Sequence, residues 1–271
     1  MYKSQDNQLN APLLLLDSGS GGLSVLSAIQ SVLPNAPIIY AADYAGLPYG
    51  TKSEAEIAAR VPALLGRLVE RYRPRLVTIA CNTACTIALA HVRAALDVPV
   101  VGTVPAIKPA SLASKTGVIG LLGTQATIRQ PYIDRLQQEF MADMTLIRYA
   151  APELVHAAEA KLRGEPVDRT IYTGAMDALT SQPSGQNMDT VILGCTHFPL
   201  VQDELAEAVQ GKIQFVDGAA GIARRILFLT QQQSWPDKLA SGLFVTTGNL
   251  ADMELAKPAL AKYNLTRFAS L

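Results

Sequence analysis

The sequence predicts an α/β fold made of two similar parallel-sheet domains that face each other, with the active site in the cleft between them. Three observations support this prediction. Short apolar runs alternate with stretches of helical periodicity, the pattern of parallel strands joined by right-handed helical crossovers. Each half of the chain opens with a strand that ends in a glycine turn. Each half also contains a strand that ends in a cysteine followed by small hydroxyl or amide residues.

The first half begins with the apolar run 13–16, the glycine-rich turn 17–22 and a helix in which Leu23, Leu26, Ile29 and Leu33 recur at helical spacing. The same order then repeats along the chain. We expect further strands at 38–42, 76–80 and 98–102, a loop at 43–50, and helices at 53–72 and 83–96.

The second half repeats this order from residue 117. It predicts strands at 117–122, 144–149 and 190–193, a turn at 123–127 followed by a helix, and helices at 152–163 and 168–180. The remaining segment predicts strands at 213–217 and 243–247 and helices at 222–230 and 255–263, which is too little for a third domain. We therefore predict a first domain of residues 1–103 completed by 218–271, and a second domain of residues 104–217.

The composition favours a small-molecule substrate. In 271 residues, 23 basic side chains balance 23 acidic ones without a basic cluster, which disfavours nucleic acid or an anionic membrane as a partner. No apolar run approaches the roughly 18 residues that span a bilayer, and segment 1–10 is polar, so we expect a cytoplasmic location. Thiols stay reduced there, so the three cysteines are expected to be catalytic, metal-binding or buried rather than disulfide-bonded.

Two cysteines, Cys81 and Cys195, directly follow predicted strands. Ligands of open α/β sheets bind beyond the carboxyl ends of the strands, and we expect both cysteines at helix starts, where the pKa of a thiol falls. Two thiols on opposite walls of a cleft suit a reaction that removes a proton from one face of a carbon and returns one to the other face. We therefore predict two-base chemistry.

Polar side chains at the same strand ends predict a small anionic substrate. Helix-start N–H groups and hydroxyl or amide side chains can bind its carboxylates, and Asp17 can hold an ammonium group. No Schiff-base lysine motif or phosphate-binding loop is present, so neither a cofactor nor a metal is predicted. The candidate substrate-binding residues at these positions are Asp17, Ser18, Asn82, Thr83, Thr124 and Thr196.

Five sequence blocks, taken together, resemble those of the glutamate racemases, cofactor-independent bacterial members of the aspartate/glutamate racemase family. The resemblance runs in order from about Leu13 to Gly248. The blocks are Asp-Ser-Gly-Ser-Gly-Gly from Asp17, Leu-Pro-Tyr-Gly from Leu47, Ala-Cys-Asn-Thr-Ala from Ala80, Pro-Ala-Ile from Pro105 and Leu-Gly-Cys-Thr-His-Phe-Pro-Leu from Leu193.

The resemblance implies interconversion of L- and D-glutamate without pyridoxal phosphate, to supply D-glutamate for peptidoglycan synthesis. It implies that Cys81 and Cys195 are the acid/bases and that Asp17, His197 and Glu159 assist them. The segment before Glu159, residues 151–156, departs from the family's Cys-Pro-x-x-Val-Pro-like pattern. The implied substrate contacts are Asp17, Ser18, Tyr49, Gly50, Asn82, Thr83, Thr196 and His197.

Several structural alternatives remain open at the sequence level. Cys81 and Cys195 can be small buried hydrophobes, and Cys85, one helical turn after Cys81, is expected to be buried and inert. A zinc site would combine the three cysteines with His197 but lacks closely paired ligands. Asp17 can cap the following helix, and its glycine turn superficially resembles a nucleotide loop. We expect His91 and His156 to be surface or packing residues.

The rival functions are an aspartate or other amino-acid racemase of the same family, a thiol redox protein and a non-catalytic binding protein on a racemase scaffold. His197 argues against the aspartate type, in which we expect glutamate at that position. A redox protein is expected to carry Cys-x-x-Cys, which is absent. A homodimer is left open, because helices at a dimer interface resemble other amphipathic helices.

Overall fold

All strand pairings among residues 9–271 are parallel, as the alternation of strands and helices predicted. The computed structural model divides into two units, one holding the chain up to Thr103 together with Ala219–Leu271, the other Val104–Gly218. Residues 1–8 lie outside the described residues. They make up most of the polar segment 1–10, whose composition differs from that of a signal peptide. No helix within 9–271 combines the length and apolar character needed to cross a bilayer.

The elements follow one another in the predicted alternation. The strands are β1 (Leu13–Asp17), β2 (Ile38–Ala42), β3 (Leu76–Ile79), β4 (Val100–Gly102), β5 (Val118–Gly123), β6 (Thr145–Ala150), β7 (Thr190–Leu193), β8 (Gln214–Val216), β9 (Gly242–Thr246) and β10 (Leu265–Ser270). The α-helices are α1 (Leu23–Val32), α2 (Glu54–Tyr72), α3 (Asn82–Ala95), α4 (Ile107–Ala113), α5 (Gln125–Ile128), α6 (Pro131–Phe140), α7 (Glu153–Leu162), α8 (Thr170–Thr180), α9 (Gln202–Ala208), α10 (Ala219–Thr230) and α11 (Lys257–Ala261).

The first unit contains a six-stranded sheet in the order β10-β9-β2-β1-β3-β4. Its central strand β1 is buried along its whole length, which explains why this strand is a continuous apolar run rather than an alternating one. Leu14 and Leu16 pack into a core shared with α2 and α3. The strands β9 and β10 extend the sheet beyond β2, so the C-terminal segment belongs to this core.

Two features of the C-terminal segment differ from the sequence prediction. The helix expected at 255–263 is a 3₁₀ segment, Leu250–Ala256, followed by the short helix α11, because Pro258 lacks the N–H that a continuous helix would use there. The strand β10 was not predicted. It is an edge strand whose exposed residues include Thr266 and Arg267, so it shows no apolar run.

The second unit contains a four-stranded sheet in the order β6-β5-β7-β8. Its core combines Ile119 and Leu121 of β5 with Ile107 of α4 and Ile133 of α6. Helix α4 was not predicted by the sequence analysis. Helix α6 begins at Pro131, whose fixed φ suits the first turn of a helix.

The carboxyl ends of the strands place the candidate residues at one edge of each sheet. In the first sheet, Asp17 pairs with Ala42 and Leu16 with Ile79, so Asp17, Asp43 and Cys81 follow neighbouring strand ends. In the second sheet, Leu122 pairs with Leu193, so the segments that carry Thr124 and Cys195 leave the sheet side by side. Each unit therefore carries one set of candidate residues at the edge of its own sheet. We call the set with Asp17, Asp43 and Cys81 the Cys81 half-site and the set with Thr124 and Cys195 the Cys195 half-site.

Candidate active site

Cys81 occupies the N-cap of α3, in extended backbone conformation, and only 6% of its surface is exposed. The first N–H groups of a helix lack partners within the helix and carry the positive end of its dipole. The N-terminus of α3 therefore places positive backbone dipole ends next to the Cys81 sulfur. Asn82 and Thr83 form the buried first turn behind it, so the predicted helix start at Cys81 is confirmed.

The Asp17 loop is held by hydrogen bonds that do not involve a helix cap. The Asp17 carboxylate is fully buried and accepts from the Gly19 N–H at 2.8 Å and from the Ser18 hydroxyl at 3.5 Å. The N-cap of α1 is Gly22, so the alternative in which Asp17 caps that helix is wrong. A Cβ at Gly22 would lie 2.9 Å from the Cβ of Ala80, so glycine lets this turn approach the residue before Cys81.

Tyr49 and Gly50 lie in a 3₁₀ turn, and the Tyr49 side chain is 1% exposed. Its hydroxyl donates to the carboxylate of Asp43 at 2.5 Å. Burial and the neighbouring Asp43 charge raise the pKa of Tyr49 far above its ordinary value, so the phenol stays protonated. The sequence analysis did not single out Asp43 as functional, although its place directly after β2, beside Asp17, was a usable signal.

Cys195 follows β7 and is 7% exposed, but the helix predicted to start there does not form. The Phe198 N–H bonds to the Cys195 carbonyl and the Leu200 N–H to the His197 carbonyl, a spacing of three residues, and Phe198–Val201 form a 3₁₀ helix instead of an α-helix. Residue 199 is proline and has no N–H to donate to the Cys195 carbonyl, so an α-helical turn cannot close. Helix α9 begins only at Gln202, and Cys195 lacks the helix N-terminus of Cys81.

Next to Cys195 lie a buried histidine and a buried glutamate instead of a helix N-terminus. The Cys195 sulfur lies 3.8 Å from Nδ1 of His197, and Nε2 of the same ring lies 2.8 Å from Oε1 of Glu159. His197 is 2% exposed and Glu159 is 3% exposed. A carboxylate that accepts the Nε2 proton leaves Nδ1 as the acceptor that faces the thiol. The arrangement can therefore take a proton from Cys195 and return it.

The two threonines of the Cys195 half-site are both buried. Thr124 is the N-cap of α5, where its hydroxyl accepts from the Thr127 N–H at 3.2 Å and lies 3.0 Å from the Thr127 hydroxyl. Thr196 lies between Cys195 and His197 and is 6% exposed.

The remaining cysteine and histidines lie away from this chemistry. Cys85 donates to the Ile79 carbonyl at 3.1 Å and accepts from the Thr103 N–H at 3.0 Å, and burial raises the pKa of its thiol to about 11. His91 and His156 are exposed on their helices. Within residues 9–271, no three His, Cys, Asp or Glu side chains are grouped as a metal ion would require.

Comparison with known proteins gives a consistent assignment. Residues 23–226 match the family model described as Asp/Glu/Hydantoin racemase. The glutamate racemase of Sphingopyxis alaskensis is 60% identical over 238 residues, which cover 88% of this chain and 89% of the relative. That of Vibrio cholerae is 45% identical over 217 residues, covering 79% and 78%.

Solved structures agree. The crystal structure of Escherichia coli glutamate racemase, in complex with L-glutamate and the activator UDP-MurNAc-Ala, superposes with a TM-score of 0.88 at 38% identity, covering 96% of this chain and 98% of that one. Glutamate racemase isoform RacE1 from Bacillus anthracis gives a TM-score of 0.80 at 27% identity, covering 97% and 98%. This chain therefore belongs to the Asp/Glu/Hydantoin racemase family and, within it, to the glutamate racemases.

Proposed function

We propose that this racemase interconverts L- and D-glutamate without a cofactor, with Cys81 and Cys195 as the two acid/base groups at Cα. The observation that carries the proposal is that each thiol is buried at the carboxyl edge of its own parallel sheet, next to a group that can support proton transfer at the sulfur. For Cys81 this group is the N-terminus of α3, and for Cys195 it is the pair His197 and Glu159. The relatives named glutamate racemases support glutamate as the substrate.

In the proposed reaction one cysteine starts as the thiolate and the other as the thiol. The thiolate takes the Cα proton, and the electron pair of the broken C–H bond stays on Cα, delocalised into the adjacent carboxylate. The second cysteine then gives its S–H proton to the opposite face of Cα. The negative charge thus moves from one sulfur to the other, and the substrate leaves as the other enantiomer with no net change in protons.

The polar groups around the thiols are proposed to hold the substrate. Hydroxyl and amide groups bind the two carboxylates, and Asp17 holds the ammonium group and assists Cys81. The Tyr49 hydroxyl is already bonded to Asp43, so the turn that carries it offers its peptide groups instead. The proposed substrate-binding residues are Asp17, Ser18, Tyr49, Gly50, Asn82, Thr83, Thr124, Thr196 and His197.

The second half-site adds a route for the proton of Cys195. His197 accepts that proton through Nδ1 while Glu159 stabilises the imidazolium. The pair thereby converts Cys195 to the thiolate that takes the Cα proton. Supply of D-glutamate for peptidoglycan synthesis is the role that follows from this activity. A cytoplasmic location and a homodimer remain predictions.

The test is exchange of the α-hydrogen in D₂O, measured by NMR together with chiral analysis of the product. Unmodified protein, freed of added cofactor, is expected to incorporate deuterium from either enantiomer and to racemise it. Cys81→Ser and Cys195→Ser are each expected to lose net racemisation by about 10²–10⁴-fold or more while remaining folded. Retention of more than about a tenth of the activity would contradict the role of that cysteine.

Substrate choice is tested in the same assay. L-aspartate is expected to exchange at least about tenfold more slowly than L-glutamate, because a side chain shorter by one methylene cannot reach both carboxylate-binding groups. Equal rates for the two amino acids would favour a broader amino-acid racemase.

A further inference from the structure

The carboxylate of Asp43 accepts hydrogen bonds from side chains of three segments: its own loop, helix α2 and the residue after β9. Arg60 of α2 donates through Nη2 to Oδ1 at 2.6 Å and through Nε to Oδ2 at 2.5 Å. The Thr247 hydroxyl, just after β9, donates to Oδ1 at 2.6 Å, and the Tyr49 hydroxyl donates to Oδ2 at 2.5 Å. Asp43 is fully buried, so these four bonds occupy its acceptor positions.

Because its oxygens already accept four hydrogen bonds, Asp43 is not expected to bind substrate or to transfer a proton. Burial raises the pKa of Asp43, but the hydrogen bonds from Arg60, Thr247 and Tyr49 and the Arg60 charge outweigh burial and hold the pKa below its ordinary value. The group is therefore an ionised acceptor with no place for a substrate ammonium or for a transferred proton.

The same residues also bind the backbone of the loop between β2 and α2. The Thr247 hydroxyl accepts from the Ala45 N–H at 3.1 Å, and the Gly46 N–H donates to the Asp43 carbonyl at 2.9 Å. A Cβ at Gly46 would lie 2.5 Å from Oδ2 of Asp43 and 2.7 Å from Nε of Arg60. The loop is therefore wrapped closely around the ion pair, and its end carries Tyr49 and Gly50.

We propose that Asp43, Arg60 and Thr247 form a positioning network that fixes the Tyr49–Gly50 turn for glutamate binding. The inference rests on the proposed function and goes beyond it, because none of the three residues touches substrate in that scheme. The network acts through the Tyr49 side chain, which joins the ion pair to the peptide groups of the turn. The C-terminal segment thus contributes to substrate binding through Thr247.

A misplaced turn weakens the hold on glutamate equally in the ground state and in the transition state. Such a loss of uniform binding raises KM and leaves kcat nearly unchanged. A defect in the acid/base chemistry would instead lower kcat. The split between KM and kcat therefore separates the positioning role from a chemical one, and a purely structural role would lower the unfolding midpoint without moving KM.

The experiment compares Thr247→Val, Arg60→Lys and Arg60→Met with Arg67→Met, which removes an exposed arginine from the same helix. Thr247→Val keeps the side-chain shape and removes both the bond to Asp43 and the bond from the Ala45 N–H, so it tests the network even where Arg60→Met fails to fold. We expect KM for both enantiomers to rise about 5–20-fold in Thr247→Val with kcat within about threefold. Arg60→Lys should be milder than Arg60→Met, and Arg67→Met should match the unmodified protein.

A second measurement separates this inference from the proposed function. In a Cys81→Ser background, which does not turn over substrate, Thr247→Val is expected to weaken D-glutamate binding by the same 5–20-fold in calorimetry. Unchanged KM and Kd in Thr247→Val and Arg60→Lys would overturn the network, whatever the fate of the two-thiol mechanism. Racemisation that survives in Cys81→Ser would overturn the mechanism and leave the Kd comparison decisive for the network.

Discussion

The two cysteines proposed as acid/base groups lie in different physical surroundings. Cys81 lies at the N-terminus of α3, where fixed backbone dipoles favour negative charge. Cys195 lies on a turn without an α-helix start, with its sulfur 3.8 Å from Nδ1 of His197, whose Nε2 lies 2.8 Å from Glu159. The difference teaches that similar positions at the ends of parallel strands do not imply similar activation. In the proposed mechanism, one thiol depends on backbone geometry and the other on a pair of titratable side chains.

The largest effect within this comparison is expected from His197→Asn. The substitution removes the Nδ1 acceptor beside Cys195 and should lower kcat/KM by about 10²–10⁴-fold. The factor must be the same in both directions, because the enantiomers have equal free energy in water and the equilibrium constant is one. The two kcat values can fall by different factors. Steady-state kinetics from L- and from D-glutamate measure both quantities.

His156→Asn is the matched control, since His156 is exposed on the helix that carries Glu159. An unchanged kcat/KM in His197→Asn would mean that Cys195 does not need a side-chain base. The contrast between the half-sites would then be lost.

Glu159→Gln is expected to have a smaller effect, about tenfold in kcat/KM. Glutamine keeps an oxygen that can accept the Nε2 proton but lacks the charge that stabilises the imidazolium. If Glu159 acts only through His197, the double variant with His197→Asn should be no worse than His197→Asn alone. Fully additive losses in this cycle would show that Glu159 has a separate role. Glu153→Gln, on the same helix, serves as the control.

Sequence reasoning succeeded where the signal was local. Buried parallel strands such as β1 are continuous apolar runs, and the helix after Cys81 was predicted from the sequence of residues 83–96 itself. It failed at Cys195 because one proline, Pro199, removes the hydrogen bond that would start a helix. The edge strand β10 was missed because half-exposed edge strands carry polar residues.

The Asp43 network could not be predicted from sequence for another reason. Its arginine lies 17 positions away on a helix and its threonine 204 positions away, and only the tertiary fold brings them together. Tyr49 was identified through resemblance, but its commitment to Asp43 is a tertiary fact. Local patterns therefore identified the residues around the thiols, whereas the supports behind them required the fold.

The two cysteine-bearing strands also differ at their amino ends. Before β3, Arg75 donates to the carbonyls of Leu9 and Ala11 and stacks on Trp235 at 4.1 Å. Before β7, Asp189 instead accepts from backbone and hydroxyl groups of the turn that leads into β5. One strand is thus anchored by a half-buried cation and the other by a carboxylate, so only the second anchor depends on acidic pH.

Asp189→Asn tests this second anchor. Burial raises the pKa of Asp189, but bonds from Ser114, the N–H groups of Lys115 and Thr116, and Thr190 outweigh it and lower the pKa to about 2. Because the folded pKa lies below the unfolded value of 3.8, the carboxylate stabilises the fold above pH about 4, and this stabilisation disappears as the pH falls through about 2. After allowance for solvent screening of this partly exposed group, the loss on substitution should be about 1 kcal/mol near pH 7.

Urea unfolding midpoints between pH 2 and pH 7 measure this effect. The unmodified protein and Asp189→Asn should differ most near neutral pH and converge toward pH 2. Asp177→Asn, which changes an exposed aspartate of α8, should follow the unmodified protein throughout. A constant difference across the whole range would mean that the charge of Asp189 is not what anchors the strand.

The smallest effect on racemisation is expected from Cys85→Ala, which compares two thiols on one helix. Cys81 lies at the N-cap of α3, whereas Cys85 lies one turn deeper, bonded to the Ile79 carbonyl and the Thr103 N–H. Burial raises the pKa of Cys85 to about 11, so almost none of it is thiolate at neutral pH. Its loss should leave kcat/KM within about threefold in both directions, with a lower unfolding midpoint because two backbone groups lose a partner. A fall of more than about tenfold at an unchanged midpoint would show that reactivity on α3 is not confined to its first turn, and the helix N-terminus would no longer explain Cys81.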